Sequence, residues 1–98
     1  MKVEWLVSAI LDLQRLRDFI VSHNPEAAQR AVKIIKAAVA ALTANPRVGK
    51  PAEDLPDYHD IIIPFGASGY VLRYRLQGET IFIVAVKHGK EAGFSGQE

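Results

Sequence analysis

The chain has no cysteine, one methionine and one tryptophan among 98 residues. Without thiols it can form neither disulfides nor thiolate metal sites, and nothing in it suggests secretion. It lacks any apolar run near the roughly 20 residues of a spanning helix, and it shows no secretory signal. A cytoplasmic location, with no membrane partner, is the expectation. His23, His59 and His88 are scattered without ligand spacing, so neither a metal site nor a cofactor is expected. Gly66-Ala67-Ser68-Gly69 is too short, and wrongly placed before a strand, to be a phosphate-binding loop. There is no internal repeat and no low-complexity segment.

What is present suits one small domain spanning 1–98, with a tail, 92–98, that is small and polar apart from Phe94 and is expected to be mobile. About half the residues are apolar, 49%, enough for one modest core. The formal net charge is only +1, but the charges are patterned. Residues 25–50 carry Arg30, Lys33, Lys36, Arg47 and Lys50 against Glu26 alone; residues 51–69 carry Glu53, Asp54, Asp57 and Asp60 and no Lys or Arg. A nucleic-acid binder is usually more uniformly basic, and this pattern suits a protein partner at least as well.

Lys2-Val3-Glu4-Trp5-Leu6 alternates and predicts a first strand, with Trp5 as packing rather than recognition. Ser8 is placed to cap a helix. Ala9, Leu13, Leu16 and Ile20 form its apolar stripe, widened by Ile10 and Phe19, with Asp12, Arg15 and Asp18 away from it. The helix ends near Ser22-His23. Asn24-Pro25-Glu26 is a strong helix start: a cap, a proline at the first helical position, and an acid where the dipole favours one. Ala28, Val32, Ile35, Val39 and Leu42 carry the second helix on to Ala44, and Asn45-Pro46 stops it. The short junction predicts an antiparallel helical hairpin.

Residues 46–58 read as an irregular surface loop, and 59–63 as a strand. Ser68 to Glu91 then reads as a β-hairpin broken at Gln77-Gly78-Glu79. The expected order is β-α-α-β-β-β, an α+β fold with the helical hairpin on one face of a small, mainly antiparallel sheet.

Alternation in the first hairpin strand puts Tyr70, Leu72, Tyr74 and Leu76 on one face and Val71, Arg73 and Arg75 on the other. If the apolar face packs on the helices, the arginines project from the open face. They could grip an anion or an acidic partner, since the guanidinium offers planar paired donors. Equally, they could pair with Asp60 or Glu79. At the end of the second strand, His88 is a candidate general acid or base, with Lys87 and Lys90 available to a phosphate. The plainer reading is a solvated charged turn. Arg30, Lys33 and Lys36 repeat every three residues, either as a solvated helix face or as a dock for an acidic partner.

The chain resembles the RelE/ParE toxin superfamily of type II toxin–antitoxin systems over nearly its whole length. The matching stretches are Val3-Glu4-Trp5 with Ala9 and Asp12-Leu13; Asn24-Pro25-Glu26-Ala27-Ala28; Leu42, Pro46, Gly49 and Pro51; Pro64-Phe65-Gly66-Ala67-Ser68-Gly69-Tyr70 with Leu72, Arg73, Tyr74 and Arg75; and Val86, His88 and Glu91. The resemblance implies the fold just described and two candidate activities: ribosome-dependent cleavage of messenger RNA in the RelE-like branch, and poisoning of DNA gyrase in the ParE-like branch. The nuclease pattern wants lysines where this chain has Asp60, Ile61, Ile62 and Ile63, an arginine where it has Val71, an arginine at Lys90 and a tyrosine near Phe94. These departures favour the ParE-like branch and a binding toxin over an enzyme.

That branch implies a growth-inhibiting, plasmid-stabilisation-like module. Its partners would be DNA gyrase and a cognate ParD-like antitoxin with a DNA-binding domain and a disordered tail, joined in a toxin–antitoxin hetero-oligomer. The residues expected at the target are Arg73, Arg75, His88, Lys90 and Phe94. Those expected at the antitoxin are Arg30, Lys33 and Lys36. His88, Lys87 and Lys90 are the catalytic set if the nuclease reading holds.

Overall fold

The structure is a computed structural model that describes residues 1–53 and 55–94. The elements follow in the order β1 (Lys2–Trp5), α1 (Val7–Val21), α2 (Pro25–Leu42), β2 (Lys50–Pro51), β3 (Tyr58–Ile63), β4 (Tyr70–Gln77) and β5 (Thr80–His88). The five strands form one sheet, ordered β1-β5-β4-β3-β2. β1 runs parallel to β5, and the other neighbours are antiparallel. The α+β architecture and the helical hairpin are therefore as the sequence predicts. The loop expected over 46–58 is not wholly irregular, because Lys50 and Pro51 pair with Asp60 and His59 as the short edge strand β2. The strand expected to start at His59 begins one residue earlier, at Tyr58.

α2 starts as its sequence dictates: Asn24 Oδ1 accepts the Ala27 N–H at 3.1 Å, and Pro25 occupies the first helical position. It buries Ala28, Ala31, Ile35, Val39 and Leu42 and stops at Leu42, two residues before the expected end. Ala31, Ile35, Val39 and Leu42 meet Leu16, Leu72, Tyr74, Ile81, Ile83 and Val86 in one core between the helices and the sheet. Each isoleucine, leucine or valine among them contributes about 1.5–3 kcal/mol on full burial.

α1 corrects the sequence reading in three respects. Its N-cap is Leu6, which supplies no side-chain bond; Ser8 instead donates its hydroxyl to the Val84 carbonyl at 2.7 Å. Asp12 is not on the solvent side but 4% exposed, in the core-facing stripe. Ile10 and Phe19 do not widen that stripe, being 42% and 60% exposed.

The cause is the sheet edge. β1 pairs only with Thr80 to Ile83, whereas β5 runs on to His88. The β5 backbone beyond Ile83 would be left without partners on that side, which is costly for buried groups. α1 runs on beside β5 and fills the gap with side chains. Ser8 takes the Val84 carbonyl, and Asp12 Oδ2 accepts the Val86 N–H at 3.0 Å. Arg15 holds Glu91 at 2.8 Å, and Glu91 Oε1 in turn accepts the His88 N–H at 2.8 Å. A bulge assists: Tyr74 pairs with Ile83 and Arg73 with Ala85, so Val84 is the extra residue.

Two glycines shape the hairpin. Gly78, at φ 61°, opens the two-residue turn between Gln77 and Thr80. Gly69, at φ 67°, ends the β3–β4 turn, and a Cβ there would lie 2.5 Å from the Ile63 carbonyl oxygen. At the other end of β4, the buried Tyr74 hydroxyl donates to the Pro46 carbonyl at 2.8 Å and accepts the Gly49 N–H at 2.9 Å, pinning the α2–β2 loop to the sheet.

Candidate binding surface

Both helices cover one face of the sheet, so the other face is open. Strand alternation places on it a row of Tyr58, Arg75 and Phe82, a row of Asp60, Arg73 and Ala85, and a row of Ile62, Val71 and Lys87. This is the face from which the two arginines were expected to project.

Arg73 is on that face but is held down. It faces Asp60 directly in the β3–β4 register, and the pair is bidentate: Nε to Oδ1 at 2.9 Å and Nη2 to Oδ2 at 3.1 Å. The Phe94 ring lies 4.4 Å from the guanidinium carbon, leaving Arg73 only 8% exposed. Paired and roofed in this way, the arginine is part of the fold's polar framework. Arg75 is half-buried with its guanidinium 5.3 Å from the Phe82 ring centroid, and its Nε has no hydrogen-bond acceptor. It is the arginine with donor capacity to spare.

The residues at the end of β5 divide between two sides. Lys87 is on the open face, 5.9 Å from the Phe94 ring, and its ammonium donates to the Glu91 carbonyl at 3.0 Å. His88, the next residue along the strand, is on the helix side, edge-on to the Tyr70 ring at 5.8 Å. Its Nδ1 accepts the Lys90 N–H at 3.2 Å. Lys87 and His88 therefore do not converge on one reacting centre. The expected target set is divided likewise: Arg73, Arg75 and Phe94 belong to the open face, and His88 and Lys90 to the helix side. The part of the expected mobile tail at 95–98 lies outside the described residues, while Phe94 packs on the sheet. Arg30, Lys33 and Lys36 are all exposed along α2, as a continuous basic face.

His88 and Lys90 line a groove of about 610 Å³ between the second half of α1, the β3–β4 turn and the end of β5. Leu16, Phe19, Ile20, Phe65 and Tyr70 form its apolar walls, and Arg15 and Glu91 stand at its edge. Burial raises the pKa of the Tyr70 hydroxyl above its ordinary value. The sequence reading missed this groove and the Ser8–Asp12–Arg15 line beside it. A signal for the line was present: Asp12 is three residues after Ala9 and four before Leu16, on the stripe itself. The exposed Phe19 carried no such signal, because its spacing from Leu16 fits a core position equally well.

A second groove of about 540 Å³ lies between the end of α2 and β3, beside Val48 and Ile62. Among the described residues no helix is long and apolar enough to cross a membrane.

The comparisons with known proteins agree with this fold. Residues 3–93 match the family described as ParE toxin of type II toxin-antitoxin system, parDE. Toxin RelE1 of Caulobacter vibrioides is 39% identical over 85 residues, which covers 87% of this chain and 89% of that toxin. Toxin RelE3 of the same organism is 30% identical over 80 residues, covering 82% and 85%. Among solved structures, a chain of the chromosomal ParDE TA system from P. aeruginosa superposes with a TM-score of 0.78 at 27% identity, covering 92% of this chain and 97% of that one. The chain thus belongs to the ParE toxin family of type II toxin–antitoxin systems.

Proposed function

We propose that this toxin acts in the cytoplasm by binding DNA gyrase rather than by cleaving RNA, and that a cognate ParD-like antitoxin with a disordered tail holds it inactive in a hetero-oligomer. The observation that carries this reading is the division of the cationic side chains between two faces. Cleavage of a phosphodiester needs a base and a charge-stabilising group within reach of one phosphate. Here Lys87 and His88 are on opposite sides, Arg73 is engaged by Asp60, and the residues that share the open row of Lys87 are Ile62 and Val71. A half-buried Arg75 beside Phe82 and Tyr58 is suited instead to gripping a protein surface. The basic face of α2, with Arg30, Lys33 and Lys36, would attract acidic stretches of the antitoxin.

The test is a supercoiling assay with purified toxin and gyrase. Inhibition is expected, weakened by Arg75→Ala. Unimpeded supercoiling, with no trapped DNA cleavage at high toxin concentration, would refute the reading. The RelE-like alternative stands because the Caulobacter relatives carry that name. It would use Lys87, His88 and Lys90, and codon-specific cuts in messenger RNA in a translation extract would establish it.

A further inference from the structure

The two edges of the sheet are finished differently. At one edge β2 is two residues long and includes Pro51, which leaves little backbone for another strand to pair with. At the other, β1 has no proline and no further strand beyond it among the described residues. Lys2 N–H bonds the Glu79 carbonyl at 2.9 Å, and Leu6 N–H bonds the Ile83 carbonyl at 3.0 Å. The even positions of β1 therefore direct their backbone groups at β5. Alternation turns the N–H and C=O of Val3 and Trp5 outward. We propose that this edge pairs with the β1 edge of a second copy of the chain, antiparallel and about a two-fold axis at Val3, so that the two sheets become one. The pairing does not depend on what the toxin targets.

Charge selects both the occupant and the register. Glu4 pairs with Phe82, which places Glu4 and Lys2 on the open face. The two side chains are 3.6 Å apart, 72% exposed for Lys2 and 48% for Glu4. A lysine on an edge strand discourages pairing when its charge meets no match on the incoming strand. A two-fold axis at Val3 sets Lys2 opposite Glu4 of the second copy, and Glu4 opposite that copy's Lys2, so every charge gains a partner of opposite sign. An axis at Glu4 would instead set one Glu4 against the other. An axis at Trp5 would carry the incoming strand into Val7, where α1 has already begun.

Centred on Val3, the outward backbone groups also match. Val3 exchanges N–H to C=O bonds with Val3 of the second copy, and the Trp5 N–H faces the carbonyl of its Met1. Met1, 53% exposed, comes to lie across from the half-buried Trp5 on the helix side, an apolar cross-strand pair. The axis stands perpendicular to the sheet, so both open faces, each with its Arg75, look the same way.

The interface is short, so the expected dimer is weak, with a dissociation constant on the order of 10–100 μM. Sedimentation velocity on the full chain without antitoxin, across that range, should show monomer passing to dimer. Lys2→Glu and Glu4→Lys should each weaken association about tenfold, because both symmetry-related pairs become like-charged, and the double variant should restore it. Circular dichroism checks that these changes at solvated positions leave the fold intact. Hydrogen exchange in the unaltered chain supplies a readout that needs no substitution: the Val3 and Trp5 amides should exchange more slowly as concentration rises. A monomer at every concentration, or exchange at Val3 and Trp5 that ignores concentration, would overturn the proposal. So would a dimer that both single variants leave intact, a double variant that stays monomeric, or a dimer that Phe19→Glu dissolves while the charge reversals do not.

Discussion

Asp12 offers the sharpest test of how this fold closes its sheet edge. It is 4% exposed, accepts the Val86 N–H at 3.0 Å, and lies 3.7 Å from Arg15. Asp12→Ala removes the acceptor and leaves a buried donor without a partner, at a cost of about 1–3 kcal/mol. Alanine regains roughly 0.5 kcal/mol of helix propensity. The net loss should be about 1–2 kcal/mol, visible in urea denaturation followed by circular dichroism as a midpoint shift of roughly 0.5–1 M. Asp12→Asn keeps a carbonyl oxygen for Val86 and should cost less than Asp12→Ala.

The carboxylate also couples stability to pH. Desolvation on burial raises the Asp12 pKa above 3.8, against the lowering effects of the Val86 N–H and Arg15. The folded state therefore holds the proton more tightly than the unfolded state does. The associated stability is fully present below the unfolded value and is lost as pH rises through the folded value. The pH dependence of stability in the unaltered protein, minus that of Asp12→Asn, should fall across this acidic window and be flat above it. An unchanged midpoint in Asp12→Ala would refute the account of Asp12 as the acceptor that completes the β5 edge, and an identical pH profile in Asp12→Asn would refute the raised pKa.

Two further tests address the segments around β4. Tyr74→Phe deletes a hydroxyl that bridges Pro46 and Gly49, so it should lower stability by about 1–3 kcal/mol and speed proteolysis within 46–53 relative to the unaltered chain; unchanged cleavage kinetics would contradict the pinning role. Gly66 and Gly69 both have positive φ, yet a Cβ at Gly66 meets nothing within 4 Å, while one at Gly69 meets the Ile63 carbonyl at 2.5 Å. Both alanine variants should lose about 1–2 kcal/mol to backbone strain. Gly69→Ala should lose more, and equal thermal midpoints would argue against crowding.

The elements that local sequence specifies are those the chain builds from its own neighbours. Asn24-Pro25 starts α2 with a cap and a fixed φ, and Gly78 turns the hairpin at a position only glycine favours. The alternation in 70–76 correctly separated Tyr70, Leu72 and Tyr74 from Arg73 and Arg75, and it left open whether Asp60 would take an arginine. The choice between a solvated Arg73 and a paired one depends on the register of β3 against β4, which composition does not encode. Ser8 and Asp12 were misread for the same reason. Each has a normal local role, as a cap or a solvated acid, and each is diverted by an unpaired β5 backbone more than 70 residues away.

The sequence alone therefore determined the helical hairpin, the strand faces and the family. The physical basis is short-range: capping, periodicity and turn chemistry act within a few residues. Tertiary structure alone decided that β1 ends early and α1 completes the edge of β5, and that Arg73 is buried beneath Phe94. It also decided that Phe19 borders a groove. These outcomes depend on which distant groups are brought together and on which backbone donors would otherwise be buried without partners.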